Sequence, residues 1–404
     1  MKAGKEMFGS DVRMEKDDGS RPKEKRILLL YPLALFLIVF ALDKLSLLPD
    51  FAKYTRGKSI TRVENIRTAI QKRAGSLAAK PRGAKLDVFF LGTSRSEFIN
   101  NLHPEVIRRD PYTNQREKKI LGRADYNLLG VYKASEFLRY YLSLRALLEA
   151  GPRPDLIAVE IGPELYNDSA PISIQRIIAR NHIERKYLLD VFRLVTKRDL
   201  KHELLNRYLF PTYALKIRPE TYFANKRSGK TYMRGAHIAA LVIHKRSTLH
   251  IPKNWDFGDR NIDTISKKDY AERIQGMTDN IEKKTFLRNY KFSRDELNFL
   301  DAVLELSAKN KIPAVVWTAH VHKSLDDAAA RAGYYRLHHG RVKKMLKRRK
   351  APFIDFRRVK PPCRWFVDAS HYSPRCYPWI MTRLLEFAGA SYPEIGKRLN
   401  VSPR

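Results

Sequence analysis

A chain of 404 residues with 44% hydrophobic content is long enough for one large domain or two ordinary ones, and its composition excludes wholesale disorder. Lys and Arg number 78 against 43 Asp and Glu, a net charge of +35, which suits polyanionic partners or a basic, solvated surface. Two cysteines without a CxxC or Cys/His set argue against structural zinc, and no aromatic–basic signature points to specific nucleic-acid readout.

The first 26 residues form a basic tail. Residues 27–42, ILLLYPLALFLIVFAL, carry no charge. As a helix they would span about 24 Å at ~1.5 Å per residue, and extension to Leu48 reaches bilayer thickness if Asp43 and Lys44 sit at the interface. An uncleaved anchor, a cleaved signal peptide and a buried helix compete here. The run is long for a signal peptide and no A-x-A site follows, which favours an anchor over 27–48. No cysteine follows it, so it is not a lipoprotein anchor. Arg21, Lys23, Lys25 and Arg26 abut the span and favour a cytoplasmic N-terminus. The expectation is a single-pass protein of the cytoplasmic (inner) membrane with its large domain on the periplasmic, extracytoplasmic side.

Residues 49–84 read as a basic helical stalk, and 85–404 as an α/β domain. Five short apolar runs predict strands: Asp87–Leu91, Ala124–Leu129, Leu156–Ile161, Ala314–Thr318 and Phe353–Phe356. The first, third and fourth are near-continuous, as expected of strands covered on both faces. Ala134–Ala150 is helix-patterned and stops at Gly151; Asp295–Lys309 and Tyr335–Lys350 are helix-like too. This alternation predicts a doubly wound, mainly parallel five-stranded sheet in three layers. The stretch from about 165 to 290 interrupts it, with helical patches such as Ile172–Leu194. It reads as a helical insertion, either a lid or substrate-binding subdomain or a buttress of the sheet.

Two motifs can carry chemistry. In DVFFLGTSRSEF, residues 87–98, a strand runs into Gly92-Thr93-Ser94 and then a helix-compatible segment. That places a serine at the carboxyl end of a strand, where open α/β sheets bind ligands, with a helix N-terminus to stabilise negative charge. It is not the G-x-S-x-G elbow, because position 96 is serine. In FVDASHYSP, residues 366–374, Asp368 and His371 lie three apart after the last strand. A serine nucleophile needs a base, and the base needs an orienting carboxylate.

Strand–G-x-S near the start and D-x-x-H near the end resembles the SGNH, or GDSL-like, hydrolase superfamily over roughly residues 85–390. Gly92-Thr93-Ser94 is similar to its first block, with Thr93 where Asp is usual. Tyr126-Asn-Leu-Leu-Gly130 resembles the second block, whose glycine gives an oxyanion N–H. Asp368-Ala-Ser-His371 resembles the last. The resemblance implies Ser94 as nucleophile, His371 as base, Asp368 as its partner, and oxyanion donors from Ser94 and Gly130. The usual Gly-x-Asn-Asp third block is absent, and Asn167 is only a distant third donor. An anchor, a degenerate third block and a large insertion are similar to membrane-anchored envelope proteins of the alginate O-acetyltransferase and lipoteichoic-acid D-alanylation groups, and to uncharacterised spirochaete proteins. That implies acyl transfer from an acyl donor to an envelope glycan or lipid, beside a multi-spanning membrane-bound O-acyltransferase, with no cofactor or metal.

Ser96 is an alternative nucleophile. Arg95 and His320 are candidate substrate contacts, and His322 lies beside His320. The basic stretch Tyr334–Lys350 is either a headgroup-binding helix or a solvated face. If the domain is exported, Cys363 and Cys376 can form a disulfide around the Asp368–His371 loop. An inactive scaffold with this fold, or an anionic-polymer binder, is the alternative to an enzyme.

Overall fold

The computed structural model describes residues 22–45 and 86–399, apart from several short gaps, 360–365 and most of 211–265. The expected stalk and the first 21 residues lie outside the described residues.

Five strands form one all-parallel sheet in the order β2-β1-β3-β4-β5. They are β1 (Leu86–Leu91), β2 (Tyr126–Val131), β3 (Leu156–Ile161), β4 (Ala314–Thr318) and β5 (Phe353–Asp355). Each central strand is apolar on both sides because both faces are covered by helices. Phe89, Leu91, Ile157, Val159 and Val316 face one core, shared with α3 (Phe137–Glu149), α4 (Arg185–Leu194), α5 (Arg198–Leu209), α7 (Arg294–Lys309) and α9 (His339–Arg348). Val88, Phe90, Ala158, Val315 and Trp317 face the other, shared with α2 (Gln115–Leu121), α6 (Lys267–Asp279), α8 (Lys323–Arg331), α10 (Tyr377–Ser391) and α11 (Pro393–Leu399). Each large side chain buried this way contributes about 1.5–3 kcal/mol. The α/β class and the parallel five-stranded sheet are therefore as expected.

Local signals account for the helix ends. Asn114 and Glu117 form a reciprocal capping box at the start of α2. Ser293 accepts from Glu296 N–H at 3.2 Å to start α7. After α3 the chain reverses at Gly151, where φ is 101°. Tyr335–Lys350 is not one helix: the turn Tyr334–Leu337 and α9 meet at His338, a kink the charge pattern does not show.

The insertion leaves and rejoins the domain at one place. Asn167 and Phe292 form an antiparallel bridge, with Asp168 N–H on Lys291 O at 2.8 Å and Ser293 N–H on Tyr166 O at 2.7 Å. Its described helices do two jobs. Tyr187, Leu188, Val191, Leu200 and Leu204 of α4 and α5 extend one core and so buttress the sheet. Ile274 of α6 joins the opposite core, and Tyr270 OH accepts from Phe366 N–H at 3.2 Å.

The expected anchor falls on α1 (Pro22–Leu45), and residues 46–48 lie outside the described residues. From Leu30 to Leu45 the helix covers ~24 Å at ~1.5 Å per residue. Among the described residues no helix is long and apolar enough to cross a membrane.

Candidate active site

The chain reverses its direction across the sheet between β1 and β3, since β2 lies on one side of β1 and β3 on the other. The carboxyl ends at such a switch point form a crevice. β1 delivers Gly92, Thr93 and Ser94 there. Gly92 N–H continues the ladder to Val131 O at 2.8 Å. A Cβ on Gly92 would lie 2.2 Å from Ser96 Oγ and 3.1 Å from Glu160 Oε2, so close approach, not turn conformation, requires glycine.

Thr93 caps the 3-10 helix Ser94–Asn101, its Oγ1 accepting from Arg95 N–H at 3.2 Å while its carbonyl accepts from Ser96 N–H at 3.0 Å. The next two amides are thus satisfied. Ser94 N–H has no acceptor among the described residues.

Beneath this turn lies Glu160, wholly buried near the end of β3. It accepts from Thr93 N–H at 2.9 Å, Thr93 Oγ1 at 2.6 Å, Arg95 Nε at 2.8 Å, and also from Ser96 Oγ. Arg95 donates in addition to Glu164. Burial opposes the guanidinium charge, but Glu164 and Glu160 outweigh it and hold Arg95 protonated. A buried charge needs such partners. No motif marks Glu160 in the sequence; its one signal there is a lone carboxylate inside the otherwise apolar run LIAVEI.

The third element is the loop 366–372. Phe366 and Tyr372 bridge antiparallel and stack at 4.7 Å, Val367 N–H donates to His371 O at 2.8 Å, and His322 N–H donates to Ala369 O at 2.9 Å. Within it, His371 Nδ1 lies 2.9 Å from both oxygens of Asp368, and His371 Nε2 lies 2.7 Å from Ser94 Oγ. Residues 277 positions apart are in hydrogen-bond contact. Asp368 also accepts from Ser370 N–H at 2.8 Å, Ser370 Oγ at 2.9 Å and His371 N–H at 3.0 Å. Burial would raise its carboxyl pKa; the His371 bond and charge, with the Ser370 donors, lower it to about 2 instead. Asp368 is therefore ionised at neutral pH and fixes Nδ1 as the donor nitrogen, which leaves Nε2 able to accept from Ser94.

The structure places the other candidates elsewhere. Ser96 is fully buried with its hydroxyl donated to Glu160, so it is not the nucleophile. Arg95 is buried and paired with Glu160 and Glu164, a brace of the turn more than a substrate contact. His320 stacks on Tyr372 at 5.3 Å and lies 5.6 Å from Phe366, packing beneath the loop. His322 caps α8. Asn167 gives its amide protons to Phe286 O at 2.8 Å and Arg288 O at 3.3 Å and accepts from Ser169 and Lys291 N–H, so it closes the insertion's base and has no donor left for an oxyanion. Gly130 lies inside β2, in register with Phe90, not in a loop above the sheet. Val131 O accepts from Gly92 N–H and so points to β1; by the alternation of a strand, Gly130 N–H points off the open edge. Cys376 is buried and disulfide-bonded; Cys363 lies outside the described residues.

A shallow cleft opens beside Arg95, at the ends of β3 to β5, lined by Pro163, Glu164, Thr318, Asp326 and Arg357 among others. Arg357 is held there by two bonds to Asp355, at 2.8 and 2.6 Å. Among the described residues no cluster of His, Cys, Asp and Glu could hold a metal ion.

No curated protein matches the chain. A family model described as "Protein of unknown function (DUF1574)" matches residues 23–387, most of the sequence, and the chain belongs to that family.

Proposed function

We propose that the chain is an SGNH-type serine acyltransferase or esterase, held at a membrane by α1, that works through an acyl-Ser94 intermediate. The observation that carries this is the unbroken line Asp368–His371–Ser94 beside an amide, Ser94 N–H, with no acceptor among the described residues. Strand order, motif order and the position of the serine after β1 all support the superfamily reading.

In this reading Ser94 Oγ attacks the acyl carbonyl while its proton passes to His371 Nε2. The new imidazolium is stabilised by ionised Asp368, which keeps its own charge throughout. The Oγ–C bond forms, and the carbonyl oxygen becomes an oxyanion facing the Ser94 amide. Collapse breaks the bond to the leaving group, which takes the proton from Nε2. A sugar hydroxyl, a lipid hydroxyl or water then gives its proton to Nε2, attacks the acyl carbon and regenerates Ser94. An envelope glycan or lipid suits a chain with net charge +35 as acceptor when it is anionic. A multi-spanning O-acyltransferase is a natural source of the acyl group. α1 and the basic residues before it support an extracytoplasmic domain.

One observation favours a second reading, a binding scaffold without turnover. With Asn167 committed to backbone carbonyls and Gly130 N–H directed off the edge of β2, Ser94 N–H stands, among the described residues, without the second and third donors of a full oxyanion hole. One missing donor slows such enzymes by about 10²–10³. A fluorophosphonate probe separates the two. Wild-type protein labels and Ser94→Ala does not, on the enzyme reading. Folded wild-type protein that never labels points to the scaffold.

A further inference from the structure

From the packing of α1 on α5, we propose that the α4–α5 hairpin is a membrane-facing surface, so that the catalytic domain rests against an anionic lipid bilayer. The proposal builds on the membrane association assigned above to α1 and adds a second contact area. Between Leu30 and Leu42 α1 carries only apolar residues, and Leu30, Leu33, Leu35, Phe36, Ile38 and Leu42 are each half or more exposed. A helix apolar on every side has no stable place in water.

The α4–α5 hairpin continues this surface. Phe210, just past the end of α5, meets Phe36 and Phe40 edge-on with ring centroids 6.5 and 6.0 Å away. Lys44 donates to Leu209 O and lies 3.8 Å over the Phe40 ring. Along the hairpin Leu189, Leu205 and Leu209 are exposed, as is Tyr213 after it. Lys44 marks the polar end of α1. Phe40 lies four residues and Phe36 eight residues before it, roughly 6 and 12 Å deeper at ~1.5 Å per residue. Phe210, seated against both rings, then lies within the ~5–10 Å depth of interfacial helices.

Charge agrees with this placement. Residues 185–209 hold seven Lys or Arg against three Asp or Glu; Arg207 is buried against Glu203, and Lys186 and Lys197 pair with Glu149 and Asp168, while the side chain of Arg193 is 78% exposed. Exposed leucines rimmed by cations are the surface that anionic headgroups cover. The buried faces of α4 and α5 belong to the domain core, so the sheet rides on the bilayer through them.

Bimane attached at Leu189→Cys and at Leu205→Cys tests this in full-length protein reconstituted into phosphatidylglycerol–phosphatidylcholine vesicles. The control position is Lys323→Cys on α8, on the opposite face of the sheet, where the side chain is 83% exposed. Replacing the lipids with chain-brominated lipids should lower emission about twofold or more at 189 and 205 and leave 323 unchanged, given ~5–10 Å insertion. Equal emission at all three positions overturns the proposal, as does crosslinking between copies through 189 or 205. Carbonate extraction on the same vesicles reads α1 separately. Protein that stays in the pellet without quenching at 205 refutes the surface alone, and protein that is released refutes the anchor.

Discussion

Replacing Glu160 by Gln should loosen the turn that carries Ser94 more than any change to Ser94 itself. The substitution keeps shape but removes the charge. Glu160 is wholly buried and accepts from four donors, one of them the Arg95 guanidinium. A glutamine amide cannot serve them all, since its own N–H₂ group meets donors where an acceptor stood. Arg95 keeps only Glu164, which is partly exposed. Breaking a buried pair by removing one partner costs about 3–5 kcal/mol. In a domain of this size each 1 kcal/mol lowers Tm by roughly 2–4 °C, so a fall of about 6–20 °C is expected. Below that melting point the variant should still fold, with Ser94 less well aimed. A misplacement of ~1 Å costs about 10² in rate, so fluorophosphonate labelling should slow by about that factor. Glu160→Asp, which keeps the charge on a shorter stem, should recover part of both. Calorimetry and time-resolved labelling on the two variants measure this. A Glu160→Gln protein that melts within 2 °C of wild type and labels at the wild-type rate would refute the idea that this carboxylate positions the turn.

Three further outcomes are expected. Ser96→Ala removes a buried hydroxyl bonded to a carboxylate and should destabilise by about 1.5–3 kcal/mol in urea titrations while labelling persists, whereas Ser94→Ala should abolish labelling at nearly unchanged stability. Gly92→Ala forces a Cβ against Ser96 and Glu160, so it should lose about 1–3 kcal/mol and slow labelling; a thermal melt matching wild type would mean the turn can give way. The folded pKa of Asp368, about 2, lies below the unfolded carboxylate value, so its contribution is complete above about pH 4 and is lost as pH falls through about 2; Asp368→Asn should flatten that part of the stability-versus-pH curve, and an unchanged acid limb would contradict the assignment.

The strands were legible because burial on both faces leaves nearly unbroken apolar runs, and β3 and β4 fall where those runs predict. β2 starts and ends two residues later than expected, because Gly130 reads as the end of a strand when it sits within one. The expectation of Gly130 as an oxyanion donor comes from resemblance to the second block, not from the strand pattern. Gly92-x-Ser94 and Asp368-x-x-His371 were legible because local spacing alone brings each group to a loop. The braces of the site were not. Glu160 acts on residues 64 to 67 positions earlier, and Asn167 bonds carbonyls 119 and 121 positions later, so neither partnership leaves a periodic trace. The anionic acceptor, the donor protein and the membrane orientation rest on resemblance and charge.

The bridge between Asn167 and Phe292 brings the two ends of the intervening stretch together. Its two ends are clasped together by the domain itself, whatever lies between them. Closing a chain loop becomes costlier only with the logarithm of its length, about 0.6 kcal/mol per doubling. Added length in that stretch outside α4, α5 and α6 should therefore cost little, while those three helices, which pack in the two cores, must stay for Ser94, His371 and Asp368 to keep their places.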